Sequence, residues 1–158
     1  MASASTQKRY GALRKFAMPH LHETPARVIL TQGPCVLCAG AWDEPFLILP
    51  GGYVEDDDAH ALEGLRREVE EEVGVRLAAV LKLTVLANEW MRGEDVVHEK
   101  MHLYAATASG PIGGGPFVRS PEAHTVLRWA SVDDLAAGLV RLQPTALLPW
   151  VLRCMGRA

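Results

Sequence analysis

Residues 49–75 have the sequence LPGGYVEDDDAHALEGLRREVEEEVGV, in which a glycine turn and an acidic loop precede an amphipathic stretch. Between residues 59 and 73 the apolar side chains recur at helical spacing. Gly74 follows at the position where helices commonly end, because glycine adopts a left-handed conformation without steric penalty. The pattern predicts a helix over residues 59–73 that packs an apolar stripe against a core. The residues of that stripe are Leu62, Leu65, Val69 and Val73.

Three glutamates of this predicted helix, Glu68, Glu71 and Glu72, share one face beside the apolar stripe. Like charges at these spacings repel by roughly 0.2–0.5 kcal/mol per pair, and the helix dipole disfavours anions near the C-terminus. A bound divalent cation would reverse the penalty, since Mg²⁺ prefers hard oxygen ligands. A solvated acidic helix without a metal explains the same three residues equally well, so both interpretations stay open at this point.

The acidic residues are concentrated in one segment of the chain. The 158 residues together have a formal net charge of -3. Residues 55–72 contain nine acidic and two basic residues and therefore carry -7, whereas the rest has 14 basic and 10 acidic residues and carries +4. One strongly acidic segment thus lies in an otherwise mildly basic chain, and the basic remainder suits contact with a polyanion.

The length and composition are those of one globular domain. Hydrophobic residues make up 49% of the chain, which is enough for a sizeable core. No apolar run approaches the roughly 18 residues of a membrane-spanning helix, and no apolar stretch of the kind found in secretory signals is present. Cys35 and Cys38 are interpreted as thiols of a buried strand. This cysteine usage fits a reducing compartment, so a cytoplasmic location without a membrane partner is expected.

The remaining patterns predict a single α/β domain with a mixed sheet and helices on its faces. Residues 1–22 contain no Asp or Glu and four basic residues. Residues 1–24 are therefore interpreted as a basic N-terminal arm, and residues 25–158 as the domain. The expected strands or short apolar runs are 27–31, 35–39, 46–49, 75–90, 96–107 and 125–130, and further helices are expected after Ser131 and over 145–155.

The spacing Gly52-x5-Asp58-x8-Arg67-Glu68-Val69-x-Glu71-Glu72-x-Gly74-Val75 closely resembles the Nudix box, G-x5-E-x7-R-E-U-x-E-E-x-G-U, where U is a bulky aliphatic residue. The second half of the motif, residues 67–75, matches at every specified position. Asp58 stands where the family has Glu, and the gap to Arg67 is one residue longer. The extra residue is assigned to the loop over 56–58; alternatively, Asp58 is the N-cap of the helix.

The resemblance implies a Nudix-type α/β/α sandwich with a mixed β-sheet. It also implies hydrolysis of a diphosphate bond in a nucleoside diphosphate linked to another moiety, with Mg²⁺ as cofactor or Mn²⁺ in its place. In this family the glutamates that match Glu68, Glu71 and Glu72 bind the metal, often together with the backbone carbonyl at the position of Gly52. The arginine that matches Arg67 mainly orients these glutamates.

The general base varies between branches of the family, so the resemblance leaves several candidates open. They are Glu68, Glu71 and the distal Glu122, followed by Glu99. Arg27 is a candidate for phosphate binding, as are Arg92, Lys100 and Arg119. Together, Arg27, Tyr53 and Glu99 are the predicted substrate-binding residues.

Several groups outside the motif have a plainer interpretation. Tyr53, Trp90 and Phe117 could stack on a base, but aromatic residues in strands are more often core. His98 and His102 share one face of a predicted strand, and satisfied sheet histidines are favoured over substrate contacts.

The expected partner is a nucleotide-derived small molecule, not a nucleic-acid polymer. A homodimer is one of the expected states, since family members are often dimers. The alternative function is a non-catalytic nucleotide-sensing module on the same fold.

Overall fold

The computed structural model describes residues 20–40 and 45–157, which form two sheets and three α-helices. The first sheet contains β1 (His20–Glu23), β2 (Pro25–Ile29), β5 (Gly51–Tyr53), β6 (Leu77–Arg92) and β7 (Asp95–Ala108). The second contains β3 (Thr31–Gln32), β4 (Cys35–Gly40), β8 (Phe117–Arg119) and β9 (Val126–Ser131). The helices are α1 (Ala61–Val73), α2 (Val132–Ala136) and α3 (Leu148–Cys154), the last preceded by a 3-10 turn over Thr145–Leu147.

The long strand β7 organises the first sheet. β6 pairs with one edge of β7 in antiparallel fashion, and β1 and β2 pair with successive parts of the other edge in parallel. β2 also pairs with β5 in antiparallel fashion, which brings Gly51 opposite Arg27 and Tyr53 opposite Pro25. The first sheet is therefore mixed, as predicted, and the short strand β5 lies between β2 and the helix that follows it in the chain.

The strands separate two apolar cores. Leu65 and Val69 of α1 are fully buried and pack with Val28 and Leu37 on one side. Each buried leucine of this kind stabilises the fold by about 1.5–3 kcal/mol. The second core, on the other side, contains Ile29, Leu103, Leu135, Leu147 and Val151. Because Val28 and Ile29 are neighbours in β2 and point to opposite faces, helices cover both sides of the strands, and the predicted α/β/α sandwich is confirmed.

Local signals set most element boundaries. α1 ends at Gly74, which has φ +79°, as predicted. At the start of α2 the hydroxyl of Ser131 accepts a hydrogen bond from the amide of Asp133, which confirms the predicted cap. Pro149 lies in the first turn of α3, where its missing N–H is tolerated. None of the helices in the described ranges is long and apolar enough to cross a membrane.

The structure differs from the sequence-based expectation at several short segments, among them the strands β5 and β8, which were not expected. Residues 20–23 were assigned to the N-terminal arm, but they form β1 against Val96–Glu99, a long-range pairing that has no local signal. Residues 1–19 of that arm lie outside the described residues. Residues 46–49 do not form a strand; Leu47 and Ile48 make isolated bridges to Leu142 and Ala39.

We predict that Gly51→Ala lowers the free energy of unfolding much more than Gly93→Ala does. Both glycines have positive φ, +138° and +61°, and a left-handed conformation costs an L-residue about 1–2 kcal/mol. A Cβ atom at Gly51 would also overlap the carbonyl oxygen of Ala26, whereas nothing lies within 4 Å of one at Gly93. Urea denaturation of both variants measures the difference, and equal losses would contradict the proposed close approach of β5 to β2.

Candidate active site

The two glycines of β5 lie directly against the acidic face of α1. The amide of Gly51 donates a hydrogen bond to Oε1 of Glu72 over 3.3 Å. A Cβ atom at Gly52 would overlap the carboxylate of Glu68. The absence of a side chain at Gly52 therefore lets the strand approach the Glu68 carboxylate, while the backbone of Gly51 binds Glu72.

Three carboxylates converge beside this contact. Oxygen atoms of Glu68, Glu71 and Glu122 all lie within 4.8 Å of one another. The first two are on α1, and Glu122 comes from the loop between β8 and β9. Among the described residues this is the one group of three or more acidic, histidine or cysteine side chains arranged so that they could hold a metal ion.

The loop that carries Glu122 is anchored to the end of α1. The hydroxyl of Ser120 donates a hydrogen bond to the backbone carbonyl of Glu72 over 2.5 Å and accepts one from the amide of Glu122. The hydroxyl of Thr125 donates to Oε2 of Glu122 over 3.0 Å. These contacts hold the distal carboxylate beside the helix, although it lies 50 residues further along the chain than Glu72.

Burial and mutual repulsion disfavour the ionised forms of Glu68 and Glu72 when no cation is bound. Burial raises the pKa of Glu68, and the charges of Glu71 and Glu122 act in the same direction, while hydrogen bonding to Arg67 opposes them. Burial also raises the pKa of Glu72 to about 7, although Arg27 and the Gly51 amide favour its ionised form. A divalent cation beside these oxygens would offset both effects.

Arg67 holds several of the acidic groups in place. Its Nη1 donates to Oε1 of Glu68 over 2.8 Å, and its Nη2 donates to Oδ2 of Asp58 over 3.1 Å and to the carbonyl of Tyr53 over 3.3 Å. Glu71 lies 3.8 Å from the same guanidinium. The planar fork of arginine suits such simultaneous contacts. These contacts fit the role that the family resemblance implies for Arg67, which is to orient the glutamates.

Asp58 occupies a defined place despite its departure from the family pattern. Its side chain is 6% exposed, and its Oδ2 accepts a hydrogen bond from the amide of Glu55 over 2.7 Å. The N-cap of α1 is His60, whose Nδ1 accepts from the amide of Glu63, so the alternative assignment of Asp58 as N-cap is wrong. Gly64 leaves the room that Asp58 needs, since a Cβ atom there would come within 2.7 Å of the same oxygen.

Besides the carboxylate cluster, the structure has a cavity of about 500 Å³ that is lined by residues of β2, β5, β6 and β7. Arg27 connects the two features, because it lines the cavity and its charge also acts on Glu72. Glu99 is 8% exposed and accepts a hydrogen bond from Nδ2 of Asn88 over 3.0 Å. All three predicted substrate-binding residues, Arg27, Tyr53 and Glu99, line this cavity, together with Phe46, Ile48, Asn88, Glu89, Trp90, Met91, Met101, Gln143 and Pro144.

Some candidate residues have environments that sequence patterns did not predict. Tyr53 and Phe117 are 39% and 61% exposed, so the interpretation of these rings as core is wrong. His98 contacts Nδ1 of His20 and Oε2 of Glu89 and is a satisfied sheet histidine as predicted, but Nδ1 of His102 is buried without a partner.

Other cavity residues were missed as site residues. Asn88 and Trp90 on β6, and Met101 on β7, do line the cavity. Their alternation along paired strands was a usable signal. The sequence held no such signal for Gln143 and Pro144, because they reach the cavity from a distant loop.

The chain matches a known protein family over most of its length. A family model described as the NUDIX domain matches residues 14–151. The chain belongs to the Nudix family. It is accordingly a pyrophosphohydrolase. A search of curated protein sequences found no match.

Solved Nudix structures resemble this chain in fold. A MutT NUDIX hydrolase from Burkholderia pseudomallei is 23% identical, with a TM-score of 0.57 over 72% of this chain and 86% of that one. A MutT protein from Bacillus halodurans is 18% identical, with a TM-score of 0.62 over 83% and 80%. An ADP-ribose pyrophosphatase from Streptococcus suis is 22% identical, with a TM-score of 0.55 over 86% and 92%.

We predict that Asp58→Asn lowers the melting temperature at pH 7 and that this difference shrinks below about pH 4. Arg67 holds the pKa of Asp58 below its usual value of 3.8, and the Glu55 amide acts in the same direction. A carboxyl with a lowered folded-state pKa stabilises the fold above its unfolded-state pKa, and this contribution disappears as the pH falls through the folded-state pKa. Thermal melts at pH 7, 5 and 3 measure the effect. The exposed neighbour Asp57, changed to Asn, is the matched control, and a difference that stays constant down to pH 3 would contradict the ion pair.

Proposed function

We propose that this Nudix enzyme uses Mg²⁺, or Mn²⁺ in its place, to hydrolyse a diphosphate bond in a nucleoside diphosphate linked to another moiety. The observation that carries the proposal is the convergence of Glu68, Glu71 and Glu122 within 4.8 Å, and the cavity that Arg27 and Tyr53 line supports it. Family membership supports the pyrophosphohydrolase chemistry. To this chemistry the proposal adds the identity of the metal ion and the nucleotide nature of the substrate.

The donor set fits a hard divalent cation. Carboxylate oxygens are the ligands that Mg²⁺ and Mn²⁺ prefer, and no sulfur or imidazole ligand belongs to the group formed by Glu68, Glu71 and Glu122. Glu72, whose charge interacts with Glu68 and Glu122, and the carbonyl of Gly52 complete the proposed ligand set. A bound ion would supply positive charge that offsets the diphosphate and polarises the bond to be cleaved.

The side chains around the metal have different proposed roles. Arg67 holds Glu68 by a hydrogen bond to Oε1, and Gly52 packs against the same carboxylate. Glu68 is therefore the least free to accept a proton. Glu122 and Glu71 are the better candidates for the general base that removes a proton from the attacking water. Of the two, Glu122 has one oxygen fixed by Thr125, which aims the other.

The cavity is the proposed site for the nucleoside. Arg27 lines the cavity, and its charge acts on Glu72, so its guanidinium is the proposed partner of a phosphate oxygen in a substrate that spans both. Tyr53 and Trp90 supply aromatic faces, on which every base can stack. Solved structures of similar fold have different names, an ADP-ribose pyrophosphatase for one and a UDP-X diphosphatase for another. A phosphate-release screen over nucleoside triphosphates, oxidised nucleotides, nucleotide sugars and dinucleoside polyphosphates distinguishes these classes.

We predict that Glu71→Gln and Glu72→Gln each lower kcat by about 100-fold while the protein stays folded, because each removes a charge that faces the proposed metal. Glu70→Gln is the matched control on the same helix. Its carboxylate is outside the cluster and faces the exposed Arg76 at 3.6 Å, so activity should be unchanged. Steady-state rates and circular dichroism measure the two effects. Full activity in both active-site variants would contradict the mechanism, and nucleotide binding without turnover by the unmodified protein would favour the sensing module.

We also predict that Mg²⁺ raises the melting temperature, because it binds the folded carboxylate cluster and not the unfolded chain. At about ten times the dissociation constant the shift should be roughly 3–6 °C. Glu68→Gln should abolish most of this shift, and Glu70→Gln should retain it. Thermal melts with KCl at matched ionic strength separate site binding from general screening, and an equal shift in KCl would contradict a specific site.

A further inference from the structure

The guanidinium of Arg92 contacts three separate groups at the rim of the cavity. Its Nη1 and Nη2 donate to Oε1 and Oε2 of Glu23 over 2.8 and 3.0 Å. Nη2 also donates to the phenolic oxygen of Tyr53 over 3.3 Å. The same group lies 4.8 Å from the centre of the Trp90 ring, in cation–π geometry. One side chain thus binds a carboxylate and two of the aromatic rings that line the cavity, Tyr53 and Trp90.

The contacts join three parts of the chain that have no local connection. Glu23 is in β1, Tyr53 is in β5, and Trp90 and Arg92 are at the end of β6. The parallel register of β1 and β7 places Glu23 beside Glu99, which also lines the cavity. The side chain of Tyr53 is held by Arg92, and its backbone carbonyl accepts a hydrogen bond from Arg67. The aromatic rim is therefore tied to the carboxylate cluster.

The exposure of the ion pair argues against a mainly stabilising role. The side chains of Arg92 and Glu23 are 43% and 21% exposed, and solvent screening limits what an ion pair at such a position contributes to stability. Their bidentate geometry, in contrast, restricts orientation strongly. Without the carboxylate of Glu23, the guanidinium would be free to leave Tyr53 and Trp90, since both contacts are weak when solvated.

We propose that the Glu23–Arg92 ion pair is a positioning device that holds Tyr53 and Trp90 as an aromatic rim for the base of the substrate. The pair thereby selects substrates in which the diphosphate is attached to a nucleoside, whose base can stack on the rim. Residues of β1, outside the Nudix box, contribute to specificity in this way. The inference rests on the proposed function, because it takes the cavity to be the nucleoside site.

The test compares Glu23→Gln and Arg92→Lys with the unmodified protein. Lysine keeps the charge of Arg92 but cannot bind Glu23 bidentately and reach Tyr53 at the same time. Calorimetry in Mg²⁺ gives the dissociation constants of α,β-methylene-ATP, α,β-methylene-GTP and imidodiphosphate, a non-hydrolysable diphosphate without a base. Rates with ATP and GTP give kcat and KM. The control is Asp133→Asn on α2, which breaks an exposed ion pair between Asp133 and Arg157.

Both variants should bind the two nucleotide analogues about five- to tenfold more weakly and raise KM by a similar factor. Their kcat should stay within about twofold, and their affinity for imidodiphosphate should not change. Unchanged nucleotide affinity in both variants would overturn the inference, as would an equal loss of imidodiphosphate affinity. If the unmodified protein binds the analogues but hydrolyses neither nucleotide, with the same loss in the variants, the proposed hydrolysis of these nucleotides fails and the role of the rim stands.

Discussion

The close approach of a glycine strand to an acidic helix face is the constraint on which the rest of the site depends. Gly51 and Gly52 bring the backbone of β5 against Glu72 and Glu68 of α1. A side chain at Gly52 would collide with the Glu68 carboxylate on the helix, and one at Gly51 would collide with the backbone of Ala26 in β2. The same contact sets the position of Tyr53, the next residue, at the edge of the cavity. The metal end and the nucleoside end of the proposed site are therefore joined by three consecutive residues, Gly51, Gly52 and Tyr53.

The carboxylate cluster shows how function opposes stability in this fold. The pKa of Glu72 rises to about 7 because burial penalises its charge, and Glu68 is affected in the same direction. Arg67 offsets part of this repulsion through contacts with Glu68 and Asp58. The cluster at the end of α1 therefore lowers the stability of the fold unless a cation is bound. The stability of the protein is in this way connected to its proposed chemistry.

Much of the site follows from local sequence because α1 carries most of it. The apolar stripe of Leu65 and Val69 determines which helix face is buried, and the spacing of Glu68 and Glu71 then determines which residues lie beside it. The role of Asp58 was not predictable in this way. Its partner Arg67 is nine residues away along the chain, and the gap left by Gly64 is visible only when loop and helix are packed together.

The sequence by itself determined the family, the helix with its acidic face and most strands, because these depend on spacing within one segment. Only the tertiary structure decided that Glu122 joins Glu68 and Glu71, since a loop 50 residues beyond the helix must be anchored through Ser120. It also decided that residues 20–23 belong to the sheet and that Arg92 joins Glu23, Tyr53 and Trp90. The physical reason is that strand pairing and ion pairs between distant segments depend on geometry that no local pattern encodes.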